Sequence, residues 1–337
     1  MKFSMDGWFF ILSKNNGKLC YDDALKLQSN QCVSEKIFKE FHYQTISKVA
    51  WYPERGLPKL FLTGGITESM KYQKSVLSAT VDVWDTRKFT SVETYDPWNR
   101  KTKLKSETRI TALDFTQSNI VTVGLSNKSE LYFIDLRNGS CTQNISFKQP
   151  KQILTLAKNG GHFIAFGGKN MPGYVYDVRK TNEPFVSLTP NLVCQEKLDA
   201  FYPDSVTNIK FNESRPDVLF TTWNSGKLVK QDIYRLSNDT KEITKGTERE
   251  THFCEIDSSF VVSSNRELLC IDGDKTKCIK IHQNTITGLS RVGEKIYSCS
   301  LDGNIVQYTR SKLKKNNLVQ SLGENHYNSL TNDDWSD

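Results

Sequence analysis

The sequence predicts an all-β chain, a seven-bladed β-propeller whose ring is closed by both termini. Three observations carry this expectation. A short apolar strand ending in Asp-x-Arg recurs at Val81–Arg87, Leu131–Arg137 and Gly173–Arg179, with weaker echoes at Leu228–Asp232, Leu268–Asp272 and Ile305–Arg310. The aspartates Asp85, Asp135, Asp177, Asp232 and Asp272 follow one another at about 50, 42, 55 and 40 residues, near the period of a four-stranded blade. Helical periodicity is weak throughout.

The first forty residues supply a partial blade, placed at 1–41. Trp8–Ser13 and Lys18–Asp22 flank Asn15-Asn16-Gly17, a hairpin signal, and Cys32–Phe38 is a candidate outer strand. No inner strand precedes this fragment. Six further blades are expected over 44–322. Their inner strands read Ile46–Trp51, Ile110–Phe115, Ile153–Leu156, Val206–Phe211 and Ile286–Leu289. The second strands read Leu60–Gly64, Ile120–Gly124, Phe163–Gly167, Val218–Thr222, Phe260–Ser263 and Ile296–Cys299. Short apolar runs bounded by Gly, Asn or Ser are how strands covered on both faces look. More polar runs such as Gln143–Phe147 and Cys278–Ile281 suit the outer edge. Closing a ring removes a sheet's free edges, so Asn325–Leu330 is expected to pair with the N-terminal fragment. The alternative is that 324–337 is a disordered acidic tail, beyond a single propeller domain at 1–323.

Composition excludes several classes. With 37% hydrophobic, 11% aromatic and 25% charged residues, the chain is globular rather than disordered. No window approaches about 18 uninterrupted apolar residues, so membrane insertion is not expected. Trp8–Leu12 is too short for a signal-peptide core, and the five Asn-x-Ser/Thr triplets read as chance matches. The 8 Cys show no CxxC pair and sit mostly in apolar runs, as small buried hydrophobes do. Cys270, Cys278 and His282 lack the tight ligand spacing of a zinc site, so no metal and no cofactor are expected. A reduced, intracellular protein follows. The charge of +7 reads as a solubility feature, and nucleic acid is not expected as partner.

Catalysis finds little support. The five histidines, at 42, 162, 252, 282 and 326, have no nucleophile motif beside them, and no GxxxxGK loop occurs. Gly64-Gly65, Gly160-Gly161 and Gly167-Gly168 read as strand-end turns. The expectation is a protein that is not an enzyme and has no small-molecule substrate.

Trp84-Asp85-Thr86-Arg87 and Ser300-Leu301-Asp302-Gly303 resemble the WD-repeat family of β-propellers. The family's Gly-His dipeptide occurs only at Gly161-His162, and most repeats lack the terminal Trp. The His-Ser/Thr-Asp-Trp network of that family is therefore expected to be mostly absent. Within the family the chain resembles the small nucleoporins of the forty-three-kilodalton type, from the Y-shaped outer-ring complex of the nuclear pore. Ile46–Pro53 with Phe61–Gly64, Val206–Asp232 and Val292–Arg310 carry the likeness. About forty residues before the first of these and 27 after the last depart from it. The resemblance implies a structural nucleoporin bound to an α-solenoid nucleoporin, resident in the nucleus at the nuclear envelope, and at kinetochores in mitosis.

Loops between the second and third strands share a rim with loops between blades, and the long insertions Ile66–Thr80, Tyr95–Thr108 and Thr189–Ser205 fall in that class. Tyr72, with Lys71 and Lys74, and Trp98, Arg100, Lys101 and Lys103, with Lys105, are candidate protein-binding residues, because exposed Trp, Tyr and Arg dominate hot spots. Equally, Trp98 plugs a blade junction and the lysines are solvated. Trp335 is either an acidic linear motif's anchor or a strand-end cap. Trp223 is either core filler or a contact residue. Asp85/Arg87, Asp135/Arg137 and Asp177/Arg179 are expected as blade-turn structure, Asp binding amides of its own turn; Asp302 and Gly303 form another such turn. Paired D-x-R endings also resemble those by which some WD proteins dock on cullin-type ubiquitin-ligase adaptors. A ligase substrate receptor, and a subunit of a chromatin or RNA-processing complex, are the alternative functions.

Overall fold

The computed structural model describes residues 2–3, 9–13, 19–23, 43–53, 60–71, 74–88, 90–96, 108–117, 119–126, 130–147, 152–159, 161–191, 193–194, 204–212, 214–242, 252–256, 259–272, 275–302, 304–309 and 320–322. Among them every regular element is a strand. The chain forms two compact units, one of Met1–Leu12, Cys20–Lys36 and Arg249–Asp337, the other of Ser13–Leu19 and Ile37–Glu248.

The second unit holds four antiparallel blades. Strands β4 (Tyr43–Trp51), β5 (Leu60–Lys71), β6 (Lys74–Asp85) and β7 (Thr90–Tyr95) form the first; β8 (Ile110–Gln117), β9 (Ile120–Leu125), β10 (Glu130–Asp135) and β11 (Ser140–Ser146) the next. A five-stranded blade follows, of β12 (Gln152–Lys158), β13 (Phe163–Lys169), β14 (Gly173–Asp177), β15 (Val186–Leu188) and β16 (Val193–Cys194). Then come β17 (Val206–Phe211), β18 (Val218–Trp223), β19 (Lys227–Asp232) and β20 (Ser237–Glu242). The other unit holds two blades, β21 (Phe253–Ile256) to β24 (Lys275–Lys280) through β22 (Ser259–Ser264) and β23 (Glu267–Asp272), and β25 (Ile286–Val292), β26 (Lys295–Ser300), β27 (Ile305–Thr309) and β28 (Gln320–Leu322). It also holds a three-stranded sheet, β1 (Lys2–Phe3), β2 (Phe9–Ser13) and β3 (Leu19–Asp23).

These sheets correct the expectation of seven blades: among the described residues six are complete. The N-terminal sheet has a first strand of its own, Lys2–Phe3 pairing with Phe10–Ile11. At the other end, Gln320–Leu322 pairs with Ile305–Gln307 and completes the sixth blade. Closure by both termini is not established, and Cys32–Phe38 and Asn325–Leu330 lie outside the described residues. The insertion at Ile66–Thr80 is also no loop, for β5 and β6 stay paired out to Lys71↔Lys74.

The core lies between consecutive blades. Val81 and Val83 pack with Ile110, Phe115 and Val123; Leu131 and Phe133 with Ile153, Phe166 and Tyr174; Val175 and Leu188 with Ile209, Leu219 and Trp223. In the other unit Cys254, Val261 and Leu268 pack with Ile286, Ile296 and Tyr308. Trp223, between the third and fourth blades, is wholly buried and its Nε1 donates to the Thr221 hydroxyl at 2.9 Å, which makes it core.

Close approach between blades explains the strand glycines. A Cβ on Gly64 would stand 2.7 Å from Ile110 Cγ2, and one on Gly167 2.6 Å from Val206 Cβ. Both glycines, with Gly65 and Gly168, lie inside β5 and β13 rather than at turns. The inner strands carry a second repeated device. Each of β4, β8, β12, β17 and β25 skips a residue of register, at Ser47, Thr111, Leu154, Thr207 and Thr287, and β4 and β8 skip a second at Gln44 and Thr116. Four of the first five carry a hydroxyl, which donates to the second strand's carbonyl at Gly64, Gly124, Thr222 or Cys299 over 3.1–3.4 Å. The hydroxyl thus occupies a carbonyl where the bulge interrupts the ladder.

Candidate protein-interaction rim

In four blades the third strand ends on a carboxylate that closes the turn into the fourth. Asp85 Oδ1 accepts the amide of Arg87 at 2.7 Å, Asp135 Oδ1 that of Arg137 at 3.0 Å, and Asp177 Oδ1 that of Arg179 at 3.0 Å. The same three arginines return their Nε and Nη2 edge to the carboxylate, with Nη2–Oδ2 distances of 3.3, 2.7 and 2.6 Å. The carboxylates lie beneath and the guanidiniums outside: side-chain exposure is 8% for Asp135 and 70% for Arg137. Hydrogen bonds from the guanidinium hold Asp135 and Asp177 down at about 2. For Asp85 burial pushes the other way, but the Arg87 bonds outweigh it and the pKa is lowered.

The fourth blade varies this scheme. Asp232 Oδ1 accepts the amides of Tyr234 and Arg235 at 3.1 and 2.9 Å. Its nearer guanidinium is Arg215, from the loop between β17 and β18, whose Nη2 reaches Asp232 at 3.3 Å and Asp217 at 2.8 Å, with Arg235 Nε farther off at 3.8 Å. An exposed tyrosine therefore stands where the other turns place an arginine. Because strands alternate in direction, these turns between third and fourth strands lie on one rim.

A different polar arrangement sits inside the sixth blade. His282 Nδ1 faces Asp302 Oδ2 at 3.2 Å, its Nε2 the Ser298 hydroxyl at 2.8 Å, and that hydroxyl the Tyr308 phenol at 3.0 Å. Asp302 also accepts the amides of Gln283 and Asn304, both at 2.9 Å. Burial lowers the His282 pKa against the pull of Asp302, so the neutral ring, Nδ1–H toward the carboxylate, fits the site. Partial counterparts occur in two other blades: Trp84 Nε1 donates to the Thr63 hydroxyl at 2.8 Å, and the Thr221 hydroxyl to Gln231 Oε1 at 3.0 Å. Sequence reading missed this set, since Tyr308 and Gln231 stand where a Trp was sought. His282 is held there by Ser298 and Asp302, and Cys278 Sγ lies 2.9 Å from Glu267.

Of the residues singled out from sequence, Asp85, Arg87, Asp135, Arg137, Asp177, Arg179 and Asp302 close turns as described. Tyr72, Trp98, Arg100, Lys101, Lys103, Gly303 and Trp335 lie outside the described residues.

No family model matches the chain, and no curated protein matches it. Solved structures do, 1242 chains in all. One, from the crystal structure of the mitotic checkpoint complex, is 12% identical, with 91% of this chain and 85% of that one aligned at a TM-score of 0.67. At that identity the likeness carries the fold alone, an all-β propeller.

Proposed function

We propose that the chain is a non-catalytic protein-interaction scaffold and, more finely, a structural nucleoporin of the nuclear pore's outer-ring complex. One observation carries the finer reading. The three stretches that resemble the small nucleoporins fall on blade strands: parts of β4 and β5, β17 to β19, and β26 with β27. The His282–Ser298–Asp302 set supports the broader WD-type kinship. The mechanism is display: packed blades fix the rims, and turns and insertions present side chains to an α-solenoid nucleoporin at the nuclear envelope, and at kinetochores in mitosis. Tagging the endogenous protein, imaging it and identifying what co-purifies tests this. A nuclear rim signal with outer-ring nucleoporins is expected; a diffuse signal without them defeats the reading. A folded Trp98→Ala/Arg100→Ala variant should also lose a native partner.

A second reading, a substrate receptor of a cullin-type ligase, is favoured by the outward guanidiniums of Arg137 and Arg179 on one rim. That receptor would lose its adaptor when both are replaced.

A further inference from the structure

Three aromatic rings meet where the third and fourth blades adjoin. Phe163 and Phe185 stand 4.9 Å apart between centroids, and Tyr234 lies over both at 6.0 and 5.8 Å. The two phenylalanines rest on the core between these blades, whereas Tyr234 is 61% exposed. Its backbone is fixed by Asp232, so the ring is presented in one place. Two residues on, Leu236 is 39% exposed and adopts a φ of 51°. The equivalent place in the second blade, four residues after Asp135, is Gly139 at 61°. Among the described residues the other non-glycine positions in the left-handed region are Asn170 and Asn265, a residue type that tolerates it. A leucine held there with over a third of its surface in water is unusual, and such backbone strain gathers at binding sites.

Charge identifies what fits. Arg179 and Arg235 flank the rings with side chains 61% and 79% exposed, while Asp177 and Asp232 beneath them are 15% and 11% exposed. A partner meets guanidiniums around an apolar centre. We infer that Tyr234, Leu236, Arg179 and Arg235 form a docking site for an acidic segment of a partner protein that carries an aromatic or leucine anchor. The anchor would lie on Tyr234 and Leu236, and its carboxylates would accept from the guanidinium edges left over from Asp177 and Asp232. A nucleic-acid strand fits less well, because Leu236 beside the ring offers an apolar contact that a sugar-phosphate backbone does not use. The inference concerns this rim alone and does not depend on residence at the nuclear pore.

The test uses the full chain and a fluorescein-labelled decapeptide of Glu and Asp with one Trp and one Leu, read by anisotropy. Wild type should bind it and not the counterpart with Lys for each acid. Tyr234→Ala and Arg235→Glu should each weaken binding about tenfold, while Lys275→Glu on β24 leaves it unchanged. Leu236→Gly should weaken binding without lowering the thermal midpoint, which separates a docking role from a folding one. No binding, equal binding by Tyr234→Ala and Leu236→Gly, or preference for a labelled oligouridylate with steep salt dependence would each overturn the inference.

Discussion

Ser298 holds His282 in place: its hydroxyl lies 2.8 Å from Nε2 of the ring and 3.0 Å from the Tyr308 phenol. One buried oxygen of β26 thus joins the segment before β25 to the middle of β27. Removing it leaves two buried polar groups without that partner. Ser298→Ala should therefore cost about 2 kcal/mol in urea unfolding, and Ser298→Thr much less. A neutral loss for Ser298→Ala would show that water replaces the hydroxyl.

The same two places match in kind in five of the six blades, while the third blade has Phe166 stacked on Tyr176. Where the second strand offers Thr63, Thr221 or Ser298, the third offers a polar partner, Trp84, Gln231 or Tyr308. Where it offers Val123 or Val262, the third strand has Ile134 or Ile271. Thr63→Val should cost about 1–2 kcal/mol by orphaning the indole N–H, and Trp84→Phe a comparable amount. The double variant should lose less than their sum, a coupling that a double-mutant cycle reads directly. Strict additivity would mean that the hydrogen bond contributes nothing.

Asp82 is buried on the same strand as Trp84, accepting from the hydroxyls of Thr80 and Thr94. Burial, opposed by the Thr94 bond, raises its pKa to about 6 from 3.8. The folded state therefore keeps its proton over a range in which the unfolded chain has lost it. Stability should fall as pH rises from 3.8 to about 6 and level off above, by about 2–3 kcal/mol in all. Asp82→Asn should remove this slope and be the more stable protein at neutral pH. A wild-type profile that rises through that window contradicts the assignment.

The fit between blades is tightest at Gly167. Gly167→Ala brings a methyl to 2.6 Å from Val206 Cβ and should cost about 2 kcal/mol, with partial rescue by Val206→Gly, which removes that carbon. Chemical denaturation of the three variants decides it. Failure of the second change to restore stability would place the strain elsewhere.

Much of the fold was legible because its signals are local. Asp85, Asp135 and Asp177 close turns within four residues of themselves, and the apolar runs before them fall on β6, β10 and β14. The errors came from contacts between segments far apart. Gly64 reads as a turn until Ile110, in another blade, is seen to need the space. Ile66–Thr80 reads as a loop because its Ser and Thr are as common in turns as in paired strands. The set at His282 joins residues from four segments, one of them, Tyr308, unlike the expected type. Tyr234 escaped notice because a ring at a turn says nothing of Phe163, some seventy residues earlier, on which it rests.

The recurrent bulge in the inner strands has one more consequence. In every complete blade this strand is the terminal member of its sheet, so one row of amides and carbonyls faces away from any partner in that blade. Such a row is a template on which a foreign strand can add itself, and that is how aggregates and swapped dimers begin. In five of the six blades the skipped residue at Ser47, Thr111, Leu154, Thr207 or Thr287 puts the row out of step at its start. An intruding chain would find no continuous ladder to join. The irregularity that bends each strand also guards the molecule against its own copies.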